Sequence, residues 1–437
     1  MRRGKRSHAH SSSCEGPLPD DVSGKRRARR LAYSIAPGVL LAGVAGGIAF
    51  PVIPLLGVRV GLPMWFIGTI LAANRAGRMA SAPMVGVFTD RWGGRRMVIL
   101  GLASQVVVMA LYLVGVVGGN PGLFFLLARL LHGPASACVF VGAQTLALHA
   151  GGPVHGGLAA GTVRASMSAG MPVGLAAGGL LAALAGERLL FEAAMAVVGL
   201  GAVLAFLTVP DLHAPSKERS RETAVWKMLS DRRLLAVGLL NFAMFFSAQG
   251  VVLTTIVLVV SGRGLHLNGL GAQGTAGIAM FWMVLISTAT MLFSGRLGDR
   301  RRIHAGIAAF GIAVTIPGLV AVGLGHSLAV LSAGIALVGL GMGALGPSLL
   351  ALVAALVAPE RRGRAAGALQ SCGDAGGVLG PIVGTTLAAG GASTPYLVCA
   401  GVLSVVLPVA VWLARLERRA ARPAAGVAPL LNAPTVD

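Results

Sequence analysis

The chain has 437 residues, of which 55% are hydrophobic and only 12% charged, about half the charged share of a soluble domain. With a mean hydropathy of +0.80, it is no soluble globular enzyme, disordered tail or disulfide scaffold, because a soluble chain this apolar could not cover its own surface. Lys and Arg number 36 against 15 Asp and Glu, a net charge of +21 that would suggest nucleic acid in a soluble protein; here the placement of the charges decides.

Residues 1–30 are polar and basic without an apolar core, and read as a tail rather than a secretory signal. A membrane helix needs roughly 20 apolar residues. Twelve candidate spans follow in two sets of six. The first set is 31–57, 64–89, 97–118, 122–149, 158–185 and 189–209. The second is 234–260, 274–298, 304–325, 327–357, 365–390 and 397–415. Turn residues such as Gly119-Asn120-Pro121 and Gly390-Gly391-Ala392-Ser393 mark the gaps. Pro51 and Pro54 are expected to bend span 1 near its outer end. A polar linker, 210–233, carries Lys217, Glu218, Arg219, Arg221, Glu222 and Lys227. Residues 416–437 form a second tail. The expected fold is an all-α integral membrane protein with a bundle over 31–209 and another over 234–415.

The basic residues are distributed by side. Most lie in the N-terminal tail, the 2–3 gap, the linker, the 8–9 and 10–11 turns and the C-terminal tail. The opposite loops hold only Arg59, Arg188 and Arg263. Cytoplasmic loops carry the excess of Lys and Arg, so both termini and the linker are expected to be cytoplasmic, in the cell membrane. The charge is then a topology signal, and nucleic acid is not an expected partner.

The two sets repeat each other. Gly86-Val87-Phe88-Thr89-Asp90-Arg91 ends span 2, and Gly295-Arg296-Leu297-Gly298-Asp299-Arg300 ends span 8. Gly157 and Gly161 open span 5 as Gly363 and Gly367 open span 11. Further along, Gly170, Gly174 and Gly178 align with Gly376, Gly380 and Gly384. Two parallel repeats imply a pseudo-two-fold along the membrane normal, with a site between the halves at mid-depth.

The turn from Gly86 through Asp90 and Arg91 to Arg95 and Arg96 resembles the signature loop of the major facilitator superfamily, with Gly94 where the pattern expects a basic residue. Arg129 to Gly133, with His132 between, resembles the family's arginine segment in span 4. Gly367, Gly376, Gly380, Pro381 and Gly384 have the spacing of its antiporter motif. In the drug antiporters that motif lies in span 5, where this chain reads Gly161, Gly170, Met171, Pro172 and Gly174. The resemblance covers about residues 31–415, is nearest the proton-coupled efflux members, and implies alternating access. It also implies that Asp90, Arg91, Arg95, Asp299 and Arg300 latch the halves on the cytoplasmic side, and that Arg129 is linked to proton transfer.

Simple chemistry offers readings of the same residues. Gly86 shares a helix face with Asp90 and would let span 2 approach a neighbour closely. Asp90, at a helix end, can pair with arginines or another helix's N-terminus, or be part of a plain solvated turn. Arg129 lies roughly 12 Å from the outer end; it is functional, or pairs with backbone carbonyls. His132 is a proton carrier or a hydrogen-bonded packing histidine. The spaced glycines give span 11 a smooth face, and Pro381 permits a bend.

Ionisable groups within the bilayer are costly and mark function by default. Asp374 is the one acid at mid-depth, a proton or cation site or the structural partner of an arginine. Arg75 and Arg78 share a face of span 2 at similar depth. With Arg164, Asn241 and Gln249 they are the candidate cavity residues; the last two, eight apart on span 7, are expected to share one face. Four cysteines, Cys14, Cys138, Cys372 and Cys399, read as free thiols, and His8 and His10 as solvated rather than metal-bound. No phosphate loop of the Gly-Lys-Ser/Thr type is present, so no metal, cofactor or ATP is expected. The expected protein is no enzyme but a secondary transporter. It exports small organic molecules with protons as the coupling ion; the alternative is import of a small organic anion. The bilayer and the solute are the partners, and a monomer suffices.

Overall fold

The computed structural model of the chain describes residues 19–211, 231–267, 269–358 and 362–421. Cys14, His8, His10, the linker charges from Lys217 to Lys227 and Arg361 lie outside them. Among the described residues every regular element is helical. Helices α1 (Pro19–Ile48) and α2 (Ile53–Arg59) make span 1. The break between them falls where Pro51 interrupts the helix, and Pro54 sits in the first turn of α2. Helices α3 (Met64–Trp92) and α4 (Gly94–Val117) are joined at Gly93, whose φ of +83° is open to glycine at little cost.

Helix α5 is assigned continuously over Pro121–Thr208, with Asn120 capping its start and Pro121 in its first turn. Straight, its 88 residues would reach about 130 Å, against a hydrocarbon core of about 30 Å. It folds back instead. Gln144 donates to the Ala160 carbonyl at 3.3 Å across the first reversal, and Gly186, at φ +81°, makes the second. It therefore supplies spans 4, 5 and 6.

The second half starts with α6 (Arg232–Met244), capped by Asp231, a π-helical segment (Phe245–Val252) and α7 (Leu253–Gly262), together span 7. Helices α8 (Ala272–Arg301), α9 (His304–Leu324), α10 (Leu328–Leu356), α11 (Arg362–Ala389) and α12 (Thr394–Ala421) are spans 8 to 12. Helices α1 and α12 extend beyond the apolar runs into the basic tail sequences. Among the described residues, nine helical stretches are long and apolar enough to cross a membrane, and one of them, Ala159–Thr208, is 50 residues long, enough for two crossings. The two spans not among them are α3 and α11, whose apolar runs are interrupted by Arg75, Arg78 and Asp374. The fold is thus an all-α membrane protein of twelve spans in two six-helix repeats.

The repeat is visible in what the aligned glycines do. In the first half, a Cβ at Gly170 or Gly174 would collide with the α1 backbone at Leu40 or Val44, and one at Gly178 would lie 2.6 Å from the Ile48 carbonyl. In the second half, a Cβ at Gly376 would collide with the Phe242 carbonyl, and one at Gly380 would lie 2.5 Å from the Gly250 Cα. A Cβ at Gly384 would lie 3.1 Å from Val251. Span 5 packs on span 1 and span 11 on span 7 by the same close backbone approach, which small residues permit where lipid offers no hydrophobic drive. One core cluster runs from Leu31 to Val209; the other runs mainly from Leu234 to Leu413, with Phe50 and Leu175 joining it from the first half. Large apolar side chains such as Trp65, Leu207, Phe293 and Val405 are exposed around the outside, as a lipid-facing surface requires.

Candidate functional site

The two halves meet through α3 against α11 and through α5 against α8. At the end of the molecule opposite the termini the contact is backbone to backbone. A Cβ at Gly68 would lie 2.5 Å from the Pro381 carbonyl, and one at Gly277 would lie 2.6 Å from the Leu175 carbonyl. Gln273 donates to Glu187 at 3.1 Å, and Glu187 also accepts from Arg59 at 2.7 Å.

Halfway down this seam lies a charge cluster. Arg78 Nη2 donates to Asp374 Oδ1 at 2.7 Å, and Arg75 Nη1 lies 4.0 Å from the same oxygen. Gln370, one turn before Asp374, reaches that oxygen at 3.4 Å. Arg75 also donates to the Gln249 carbonyl, and its guanidinium lies 5.8 Å over the Phe245 ring. A Cβ at Gly377 would occupy the place of that guanidinium, so glycine there seats the arginine. Asp374 is the one acid buried among the described residues. Two guanidinium groups lie within 4.0 Å of its carboxylate and supply the counter-charge that a buried ion needs. The cluster joins α3 of one half to α11 and the π segment of the other, so any separation of the halves here must break it.

The structure brings Arg75, Arg78, Gln249 and Asp374 together. Asn241 is elsewhere. Its amide donates to the Leu369 carbonyl at 2.7 Å, inside the seam of α6 and α11. Asn241 and Gln249, expected on one face, stand on either side of the start of the π segment Phe245–Val252, and both are turned toward α11: Asn241 at Leu369 and Gly373, and Gln249 through Arg75, which rests at Gly377. Arg164 is exposed and lies 5.9 Å from the Phe140 ring, within the first half. Arg129 and His132 are wholly buried in the first half, with Arg129 stacked 4.9 Å over the Phe50 ring, and Gly133 beside them packs on the α3 backbone at Asn74 and Arg78.

The residues of the repeated turn lie apart at the terminal end. Asp90, Arg91 and Arg300 are exposed. Asp299 is also exposed and lies 3.6 Å from His304 of the next helix. Arg95 donates to the Phe206 carbonyl at 2.8 Å and lies over that ring. The close approach expected at Gly86 is absent, because the neighbouring half is not there: a Cβ on Gly86 would meet nothing within 4 Å. Gln370, Gly377 and the π segment were not anticipated. Only Gly377 carries a sequence signal, as part of the Gly376-Gly377 pair beside Asp374.

This geometry can be set against known proteins. The family description Major Facilitator Superfamily matches residues 35–315 and 266–435, two overlapping matches along one chain. The multi-drug resistance efflux pump PmrA homolog of Lactococcus lactis is 26% identical over 370 residues, covering 80% of this chain and 86% of that protein. The class G tetracycline resistance protein of Vibrio anguillarum is 27% identical over 364 residues, covering 78% and 86%. Among solved structures, a bacterial homolog of the human lysosomal transporter Spinster, inward-facing and unoccupied, superposes with a TM-score of 0.69 at 15% identity, over 91% of this chain and 97% of that one. The chain belongs to the Major Facilitator Superfamily. It is a multi-pass membrane transporter of small molecules with drug-efflux relatives.

Proposed function

We propose that this protein exports small organic molecules across the cell membrane by alternating access, driven by protons entering through Asp374. One chain suffices, with both termini and the 210–233 linker in the cytoplasm and the bundles 31–209 and 234–415 rocking about the seam. With that orientation, the state described here is open to the cytoplasm and closed to the outside.

The observation that carries the reading is the ion pair across the seam. Asp374 is the one buried acid among the described residues, and its partners sit on the opposite half. Closing the cytoplasmic end and opening the outer end pulls Asp374 from Arg75 and Arg78. An unpaired buried carboxylate takes a proton far more readily than a paired one. Proton affinity therefore depends on conformation, and that dependence couples proton to solute. Arg129, within electrostatic reach of Arg75, adds to the positive potential of the interior that such a proton must meet. The efflux pumps among the relatives support the outward direction.

Asp374→Asn mimics the protonated acid and releases no proton. In proteoliposomes it is expected to abolish accumulation of solute against a gradient, while downhill exchange survives. A variant that still concentrates solute, and stops when an uncoupler is added, removes Asp374 from the coupling role. The second reading, import of a small organic anion, is favoured by the excess of guanidinium over carboxylate around Asp374. Accumulation inside vesicles when the proton gradient points the same way as the solute selects it over export.

A further inference from the structure

The interior of the first half contains a second polar group that the seam does not use. Gln105 and Tyr112 lie on α4, Arg129 and His132 on α5. Both pairs are one or two helical turns apart, so each pair shares a face. The register of the two helices sets the faces together: a Cβ at Gly101 would lie 2.6 Å from the Ala135 carbonyl, and one at Gly115 would lie 2.8 Å from the Phe125 ring. The stretch of α4 between those points, with Gln105 and Tyr112, therefore runs beside the stretch of α5 with Arg129 and His132. All four side chains are 0–1% exposed.

None of these groups has its polar atoms satisfied. The Nε and both Nη atoms of Arg129 have no hydrogen-bond partner among the described residues. The same holds for the Tyr112 hydroxyl, both polar atoms of the Gln105 amide and Nδ1 of His132. Buried guanidinium groups are paired as a rule, because an isolated charge in low dielectric is strongly disfavoured. Here the usual partner is missing: Asp374 is the one buried acid and is already engaged by Arg78 and Arg75. The Phe50 ring, 4.9 Å from the Arg129 guanidinium, offers its π face but no acceptor for five N–H donors.

We propose that Arg129, with the Tyr112 hydroxyl and the Gln105 amide, forms an internal binding site for a monovalent anion: a free halide such as chloride, or the carboxylate of a solute. The anion supplies the counter-charge that the chain lacks. It accepts from the guanidinium, from the Tyr112 O–H and from the Gln105 N–H₂, which are all donors. The Tyr112 ring is held for this by stacking on Phe191, with centroids 5.0 Å apart, and edge-on to Phe125. The residues of the site all lie in one half, and none of them is a member of the Asp374 ion pair.

The test uses the purified full-length protein and its thermal unfolding in sodium chloride against sodium gluconate at constant ionic strength. A bound anion stabilises the folded state by mass action, so chloride is expected to raise the midpoint saturably, by at least about 2 °C. Arg129→Gln is expected to remove the shift. Tyr112→Phe keeps the ring stacking and removes one donor to a charged acceptor, so its half-saturating concentration should rise roughly tenfold. If Arg129→Gln fails to fold, Tyr112→Phe and the parent protein carry the test. Equal midpoints in chloride and gluconate for the parent, or a chloride shift that is the same in the parent and every variant that folds, overturn the proposal. Acetate and benzoate series distinguish the sources. A carboxylate shift lost in the same variants assigns the site to the solute, and a shift with chloride alone assigns it to a free halide.

Discussion

The two ends of the molecule are held in different ways. Away from the termini, the halves are joined by glycines that bring backbones together, at Gly68 against Pro381 and at Gly179 against Gln273 and Gly277. At the terminal end the residues of the repeated turn are charged, exposed and apart, and a Cβ on Gly86, Gly161 or Gly367 would meet only open space. The contact away from the termini is steric and short-range; the turns at the terminal end offer charge instead. Packing of this kind admits little deformation, so a single methyl group matters. Ion pairs near water are individually weak and forgiving. The midpoint cluster of Asp374 with Arg75 and Arg78 lies where the packed seam ends and the open region starts.

The largest effect is expected from breaking the packed end. A Cβ at Gly179 would run into the Gln273 backbone carbonyl, which cannot turn aside as a flexible side chain does. Gly179→Val overpacks that contact, at a cost of about 1–3 kcal/mol to the closed arrangement. Each 1.4 kcal/mol is about tenfold in an equilibrium, so the population open at this end should rise roughly 5- to 140-fold. Spin labels replacing the exposed Val60 and His266 would show it as a longer distance. An unchanged distance distribution would mean that this seam is not what holds the end shut.

A smaller effect is expected from the charged end. Asp90 is exposed and makes no ion pair among the described residues, so Asp90→Asn should leave the state described here as stable as before. Its cost falls on the other state, where the turn would meet the opposite half. Loss of a pair worth about 1 kcal/mol shifts the equilibrium roughly fivefold toward the state with the terminal end open. Transport should slow by a similar factor with insertion and melting temperature unchanged. A full rate with Asn in place would make the turn a solvated link and nothing more.

The sequence makes the fold legible because the bilayer leaves few choices. Spans must be helical, about 20 residues long and apolar, and the loops must carry the charge. The aligned glycines of spans 5 and 11 mark the smooth faces of those helices, though not the partners they pack on. The site is legible in its members but not in its joins. Asp374, Arg75 and Arg78 stand out as charges in apolar helices, yet their meeting depends on how two halves of the chain are set against each other. The phase of span 7 is hidden for a local reason. Asn241 and Gln249 stand on either side of the start of a π segment that nothing in the residues between declares. Gly86 misleads differently. Its pattern leads one to expect a close approach of span 2 to a neighbour, and in this structure a Cβ there meets nothing within 4 Å.

Gly86 also provides the finest test of the comparison, because its two consequences have opposite signs. In the state described here a methyl group at Gly86 meets nothing within 4 Å, so alanine introduces no clash. Position 86 lies inside α3, where alanine in place of glycine stabilises a helix by about 0.5–1 kcal/mol. Gly86→Ala should therefore raise the melting temperature of the purified protein slightly, by about 1–3 °C. If the terminal end closes around a close approach of α3 at this face, the same methyl group must obstruct that closure. Transport should then fall about two- to threefold, although the protein is more stable. Gly298 is the control: a Cβ there would already collide with the His304 ring in this state, so Gly298→Ala should lower stability and transport together. A Gly86→Ala protein that gains stability and keeps its full transport rate would show that the terminal end closes without that approach, and that the glycine serves the helix end alone.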